Sequence, residues 1–263
     1  MTLKNILFES EGGIGTITLN RPEKLNALVS EIRQELLHVL DTIREERGIR
    51  VVILTGAGRG FCAGGDIELL SRLREAGDLD GLKRLLETGR EVLNAIRELP
   101  KPVIAAVNGA AAGAGFNLSL ACDIRIASEK ATFGATFARI GLHPDWGGTY
   151  FLPRLVGMAK ACELIFSGAM LGAAEAERIG LVNRVVPHDQ LILEARALAA
   201  KILSNSPIPI GLAKGSIYKS LDGNLKEAFA REMEAQIACF QSEDAREGFR
   251  AFLEKRSPIF RGT

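Results

Sequence analysis

Asp145 stands between a proline and the only tryptophan of the chain, in the run Ile140-Gly141-Leu142-His143-Pro144-Asp145-Trp146-Gly147-Gly148-Thr149. An aspartate after proline in a loop is a turn former or a helix N-cap, and that is one reading of it. The other is a general base, since an aromatic neighbour that excludes water raises a carboxylate's affinity for protons. Two glycine-rich segments supply a different kind of chemistry. Phe61-Cys62-Ala63-Gly64-Gly65-Asp66-Ile67 and Asn108-Gly109-Ala110-Ala111-Ala112-Gly113-Ala114-Gly115-Phe116-Asn117 are made of residues small enough to bring a backbone N–H against a ligand. Each follows an apolar run and leads toward a helix, so each presents free N–H groups at a helix start. One N–H from each, aimed at one oxygen, makes an oxyanion hole, the arrangement a thioester carbonyl needs as it becomes an enolate. A tight turn and close helix–sheet packing account for the same glycines without chemistry.

Other candidates are weaker. Gly56-Ala57-Gly58-Arg59-Gly60 follows a strand-like run, but Phe61 occupies the third glycine position of a dinucleotide loop. It is no P-loop either, because Gly65 is followed by Asp66 and not by lysine; a plain turn is expected. The four cysteines, Cys62, Cys122, Cys162 and Cys239, are far apart and form no C-x-x-C pair. With no signal-peptide pattern in the first residues, free thiols and a cytoplasmic location are expected. Cys62 reads as a small packing residue and His143 as a bystander. His38, His143 and His188 are scattered, so no zinc ligand set is formed.

The elements that must position these residues are legible in the periodicity. Ile6-Leu7-Phe8 and Gly15-Thr16-Ile17-Thr18-Leu19 read as a hairpin turned at Gly12-Gly13. A helix from about Ser30 carries Ile32, Leu36, Leu40 and Ile43 on one face and charges on the other. Val51–Leu54, Val103–Val107 and Ile124–Ile126 are short apolar strands of the kind buried in parallel sheets. Between them lies a helix with Leu82, Leu85, Leu86, Leu93 and Ile96 on one stripe. Beyond about residue 187 strand signals vanish, and helices are expected from near Ser206, Asp222 and Ser242. The uncharged stretch Pro102–Cys122 is long enough to raise a membrane question. Its asparagines and its Gly/Ala content favour a buried strand, turn and helix. With 263 residues, 47% of them hydrophobic, and a net charge of +1, the chain suits a large α/β domain. It lacks the basic excess of a nucleic-acid binder.

Taken in order, several segments resemble the crotonase (enoyl-CoA hydratase/isomerase) superfamily. They are Asn20-Arg21-Pro22-Glu23-Lys24-Leu25-Asn26-Ala27-Leu28, Ala63-Gly64-Gly65-Asp66, Gly113 to Asp123, Gly147-Gly148-Thr149, Ala176-Glu177-Arg178-Ile179-Gly180-Leu181-Val182 and Glu254-Lys255-Arg256. The likeness covers nearly the whole chain. It implies an α/β fold with a crotonase-like ββα spiral core over residues 1–200, and a helical trimerisation region over 201–263. It also implies assembly as a trimer or a dimer of trimers. It puts the oxyanion donors at the N–H groups of Gly65 and Ala114. It puts CoA contacts at Lys24, Ala27, Ala63, Asp66 and Ile67, with Lys255 reaching in from another subunit. No metal or separate cofactor is implied, because CoA is part of the acyl-CoA thioester substrate.

The departures narrow the expectation. Where hydratases of this superfamily place two glutamates, this chain has Asn117 and Phe137. Water addition needs one group to activate water and another to deliver a proton. Asn117 can only orient and Phe137 can do neither. Asp145 matches the base of the epoxyphenylacetyl-CoA isomerase branch, and Phe151-Leu152-Pro153-Arg154-Leu155-Val156-Gly157 is similar to that branch too. The resemblance therefore favours an isomerase with one carboxylate. A hydratase with an unusual acid–base set is the runner-up, and a non-catalytic acyl-CoA-binding scaffold the alternative of another class.

Overall fold

A hairpin opens the chain: β1 (Ile6–Glu11) pairs antiparallel with β2 (Ile14–Leu19). It turns at Gly12 (φ +57°) and Gly13 (φ +87°), where two consecutive positive φ values give the twist that a two-residue turn needs. The computed structural model describes residues 2–263. α1 (Ser30–Glu45) buries Ile32, Leu36, Leu40 and Ile43, as their spacing requires. Two of its charges do not lie on the outer face. Arg33 and Glu35 are both buried. The Glu35 carboxylate accepts from the N–H groups of Lys4 (3.1 Å) and Asn5 (2.8 Å) and from Asn5 Nδ2 (2.9 Å), and so fastens the N-terminal segment to the helix.

The core then repeats one unit. β3 (Val51–Gly56) and β4 (Gly60–Cys62) are followed by α2 (Ile67–Glu75) and α3 (Leu79–Glu98). β5 (Val103–Val107) and β6 (Ala110–Ala112) are followed by α4 (Ala114–Ala121). β7 (Ile124–Ser128) and β8 (Thr132–Gly134) are followed by a 3₁₀ turn (Thr136–Ile140), α5 (Gly148–Val156) and α6 (Met158–Ser167). Each unit puts its first strand in one sheet and its second in another, then returns through helix. β9 (Met170–Gly172), α7 (Ala173–Arg178) and β10 (Arg184–Val186) complete the two sheets. The larger has the order β1-β2-β3-β5-β7-β10 and is parallel beyond the hairpin; the smaller has the order β4-β6-β8-β9. This is the ββα spiral of the crotonase fold.

Residues Pro102–Cys122 thus form a buried strand, a short second strand and a buried helix. No helix among the described residues is long and apolar enough to cross a membrane. The stripe on α3 is buried at Leu85, Leu93 and Ile96, whereas Leu86 is 42% exposed.

Four helices follow β10, one more than the periodicity indicates. α8 (Leu191–Leu203) lays Leu191, Ala195 and Ala199 on the large sheet beside Val51, Ile53, Ile104 and Ile126. α9 (Pro207–Ser220) starts behind Ser206 with its proline in the first turn, where a missing N–H costs nothing. α10 (Leu225–Phe240) starts behind an Asn224–Glu227 capping box, and α11 (Glu243–Leu253) behind Ser242, whose hydroxyl accepts from Ala245 N–H.

Candidate active site

β4 and β6 lie side by side and parallel, Gly60 opposite Ala110 and Cys62 opposite Ala111. Both run into helix N-termini, so the turns that follow them meet at the same end of the sheet. Gly64 (φ +95°) and Gly113 (φ +52°) take backbone conformations that side chains disfavour. The contact is tight: a methyl group on Gly64 would lie 2.8 Å from Ala112 O and 3.1 Å from Ala114 N, and one on Gly115 would lie 2.1 Å from Cys62 O. In the first turn Leu28 N–H donates to Gly64 O (2.7 Å) and Asp66 N–H to Leu28 O (3.3 Å). These bonds pass over Gly65, whose N–H has no acceptor among the described residues. Ala114 is the first residue of α4, and its N–H is equally unused. Two free donors on abutting turns can hold one oxygen from two directions.

The first turn is clamped from behind by Asn26, which is fully buried. Its Oδ1 accepts from Arg21 N–H (2.8 Å), and its Nδ2 reaches the carbonyls of Ala57 (3.0 Å) and Gly60 (2.8 Å). Leu25 (φ +49°) and Asn26 (φ +58°) are both left-handed. The Gly56–Gly60 segment is therefore a turn held by an asparagine, as its failed nucleotide signatures indicate. The Cys62 thiol donates to Asn26 O (3.1 Å), and burial pushes it up to about 12, so it is an inert packing thiol.

The residues for which CoA contact is expected gather along this turn, with one exception. Ala63 N–H donates to Leu25 O (2.9 Å), and Ala27 is buried behind it. Lys24 pairs with Glu68 at 2.5 Å on the exposed side, beside the exposed Ile67. Asp66 caps α2 through Leu69 N–H (3.1 Å) and pairs with Arg21 at 3.2 Å. Burial favours protonation of Asp66, but Leu69 N–H, Arg21 and Lys24 outweigh it and hold the carboxyl below its ordinary value. Lys255 is separate: it follows α11, is exposed, has φ +54°, and makes no ion pair among the described residues.

Asp145 does not cap α5. The N-cap is Gly147, and it is the Asp145 carbonyl, not its carboxylate, that accepts Gly148 N–H (3.1 Å). The same carbonyl accepts Asn117 Nδ2 at 2.7 Å, which ties the loop to α4 one turn below Ala114. Asp145 Oδ1 is buried without a donor. Burial raises its pKa to about 6, against the opposing pull of Arg33, its own N–H and His143. Trp146 is buried in a left-handed conformation (φ +46°), its indole against α3, where a methyl on Gly89 would lie 2.6 Å from Nε1. Phe137 is buried beside the second turn; a methyl on Gly113 would lie 3.8 Å from its ring.

Sequence periodicity gave no role to Arg33. Its guanidinium lies 5.3 Å from the Trp146 ring centroid, donates to Leu85 O and Leu28 O, and leaves Nε unpartnered. The available signal is its position three residues before Leu36 and one after Ile32, at the edge of the buried stripe. Arg33 Nε, Asn117 Oδ1, Asp145 Oδ1 and Trp146 Nε1 are four of the six buried polar side-chain atoms left unpartnered among the described residues. Native proteins keep few such atoms, and clusters of them mark functional ground. Asp145, Trp146 and Gly147 line part of a cleft of about 980 Å³ between α3, α5 and α9, walled also by Leu86, Tyr150 and Phe151. That cleft explains why Leu86 is exposed.

The sequence profile described as "Enoyl-CoA hydratase/isomerase" matches residues 9–263. The chain belongs to the enoyl-CoA hydratase/isomerase family. Among its relatives is the short-chain-enoyl-CoA hydratase of Clostridium acetobutylicum, 43% identical over 97% of both chains. The 1,2-epoxyphenylacetyl-CoA isomerase of Escherichia coli is 40% identical over 98% of both. The crystal structure of an enoyl-CoA hydratase from Bacillus anthracis superimposes with a TM-score of 0.94 at 40% identity, covering 99% of this chain and 100% of that one.

Proposed function

We propose that this enoyl-CoA hydratase/isomerase family member is an acyl-CoA isomerase that moves a proton with one carboxylate. The thioester carbonyl oxygen takes hydrogen bonds from the N–H groups of Gly65 and Ala114. Asp145 removes a proton from carbon near the thioester, the electron pair moves onto that oxygen as an enolate, and the same carboxyl returns the proton to a different carbon. With a pKa near 6, Asp145 is mostly ionised at neutral pH yet close enough to it to give the proton back. The observation that carries this reading is the buried, unpartnered Asp145 Oδ1, with no second carboxylate at the flanking positions Asn117 and Phe137. The 40% identical 1,2-epoxyphenylacetyl-CoA isomerase supports it. The hydratase names of other relatives favour the second reading, hydration of the double bond.

The exposed stripe Leu225, Phe229, Met233, Ile237 on α10 supports an assembly role for residues 201–263, with Lys255 reaching a neighbouring subunit's CoA site. The substrate's own CoA is the only coenzyme in this scheme, and four free cysteines suit a reducing, cytoplasmic setting. The test is incubation of a panel of unsaturated acyl-CoA thioesters in heavy water. An isomerase exchanges deuterium into carbon and shifts the double bond without adding water. Hydroxyacyl-CoA as the main product supports the hydratase instead, and absence of both reactions supports a binding protein.

A further inference from the structure

Arg33 is 3% exposed, and its hydrogen-bond partners are two backbone carbonyls and no carboxylate. A buried cation without a counter-ion is expensive to keep, and removal of the charge is the cheaper solution for a fold that does not use it. Its surroundings show what the charge faces. Leu28, which accepts from Nη2, is bridged by backbone to the Gly64–Asp66 turn. Leu85 brings in α3, and the Trp146 ring over which the guanidinium lies is the neighbour of Asp145. Arg33 thus stands behind the first glycine turn and beside the loop of the carboxylate, held by backbone on two sides.

We propose that Arg33 is the positioning residue that keeps Asp145 in its charged, proton-accepting form. The inference rests on the reading of Asp145 as the base. Burial drives the Asp145 carboxyl toward its neutral form, and Arg33 is the leading influence that opposes it. The effect is reciprocal: burial pushes Arg33 down to about 10, with Asp145 the main opposing influence. The other groups around the carboxylate contribute less. His143 is exposed and on the same loop, Cys62 on β4 is a neutral buried thiol, and Asn117 on α4 is uncharged. Other cations line the cleft. Lys214 of α9 is bound to Asp123 at 2.8 Å, Arg97 of α3 lies on the Tyr218 ring, and Arg90 and Lys219 share the cleft with Glu98 and Asp222.

The test is titration of Asp145 in the full-length protein carrying carboxyl-¹³C aspartate, its resonance identified by its loss in Asp145→Asn. Arg33→Gln keeps a donor for the Leu85 and Leu28 carbonyls but removes the charge. It should raise the midpoint by about one pH unit or more, the usual effect of a close opposite charge. Arg33→Lys keeps the charge and should titrate close to wild type. Arg33→Met is a second neutral variant, for use if the glutamine variant is poorly folded. The acid limb of isotope exchange into crotonyl-CoA should move upward with the midpoint. A merely structural Arg33 lowers the melting temperature of all three variants and leaves the midpoint in place, and that result overturns the inference. The base reading fails on a different measurement, undiminished isotope exchange by Asp145→Asn.

Discussion

Asn117 Nδ2 donates a 2.7 Å hydrogen bond to the backbone carbonyl of Asp145, so the first turn of α4 holds the loop that carries the carboxylate. The residue that begins that helix, Ala114, offers the free N–H of the second glycine turn. One short helix therefore fixes the separation between the second glycine turn and Asp145. Replacing Asn117 with Ala should cost about 0.5–1.5 kcal/mol, because the Asp145 carbonyl loses its side-chain donor but keeps Gly148 N–H. Turnover should fall more than CoA-thioester affinity. Equal losses in the two, measured by steady-state kinetics and calorimetry, would show that the bond serves only folding.

Asp145→Asn should lower turnover by roughly 10²–10⁴-fold, the usual size of general acid–base catalysis. It should also raise stability at neutral pH. The folded pKa of about 6 lies above the ordinary value of 3.8, so the aspartate's favourable contribution is present only below the ordinary value and is lost as pH rises through 6. The asparagine variant escapes that loss and should gain about 2–3 kcal/mol at pH 8. The gain should shrink toward zero below about pH 4. Urea unfolding at the two pH values checks this, and a variant no more stable than wild type at pH 8 contradicts the burial argument.

Ala114→Pro tests the proposed oxyanion donor, with the fold checked by circular dichroism because proline also restricts Gly113. Proline is well tolerated at the first position of a helix, which Ala114 occupies. It has no N–H to give. The loss should be roughly 3 kcal/mol of transition-state stabilisation, seen as a fall in kcat. A folded proline variant of full activity removes Ala114 from the site.

Gly64→Ala should fail at the level of structure. Its methyl would meet Ala112 O at 2.8 Å and would have to accept φ +95°. Backbone strain of this kind costs about 1–3 kcal/mol, and relief requires the two turns to separate. Both melting temperature and kcat should fall together. A variant with native melting temperature shows that the turns have slack.

The exposed stripe on α10 predicts an oligomer. Sedimentation of the purified chain at micromolar concentration should give a trimer or hexamer, and Met233→Glu with Ile237→Glu should shift it toward monomer with weakened CoA-thioester binding. A wild-type monomer with full affinity contradicts the shared site.

Long elements were legible because their burial pattern is written at one period. The α1 stripe, the hairpin at Gly12-Gly13, and the strands at Val51, Val103 and Ile124 all fall where their residues require. The small sheet was not, because Gly60–Cys62, Ala110–Ala112 and Thr132–Gly134 are three-residue strands of small or ambiguous residues, and their pairing exists only after the spiral has closed. α8 was missed because two of the three residues buried on its sheet-facing side, Ala195 and Ala199, are alanines. At the site, the glycine turns and Asp145 were visible by residue type. That Asp145 caps nothing, and that Arg33 turns inward, depends on contacts between α1, α3 and the 140–149 loop that no local window contains.

The abutment of the two glycine turns also bears on how such an enzyme changes its substrate. Gly64 and Gly115 are pinned by main-chain atoms of the facing turn, and the Gly56–Gly60 turn by Asn26, none of which belongs to the cleft wall. The cleft is walled by side chains of α3, α5 and α9, among them Leu86, Tyr150, Phe151 and Tyr218. On the proposed mechanism, mutation can therefore remodel the cleft without moving the N–H groups of Gly65 and Ala114. On that reading the molecule is divided into a part pinned by main-chain contacts and a part walled by side chains, and substitutions in the wall change specificity one residue at a time while the activating step is kept.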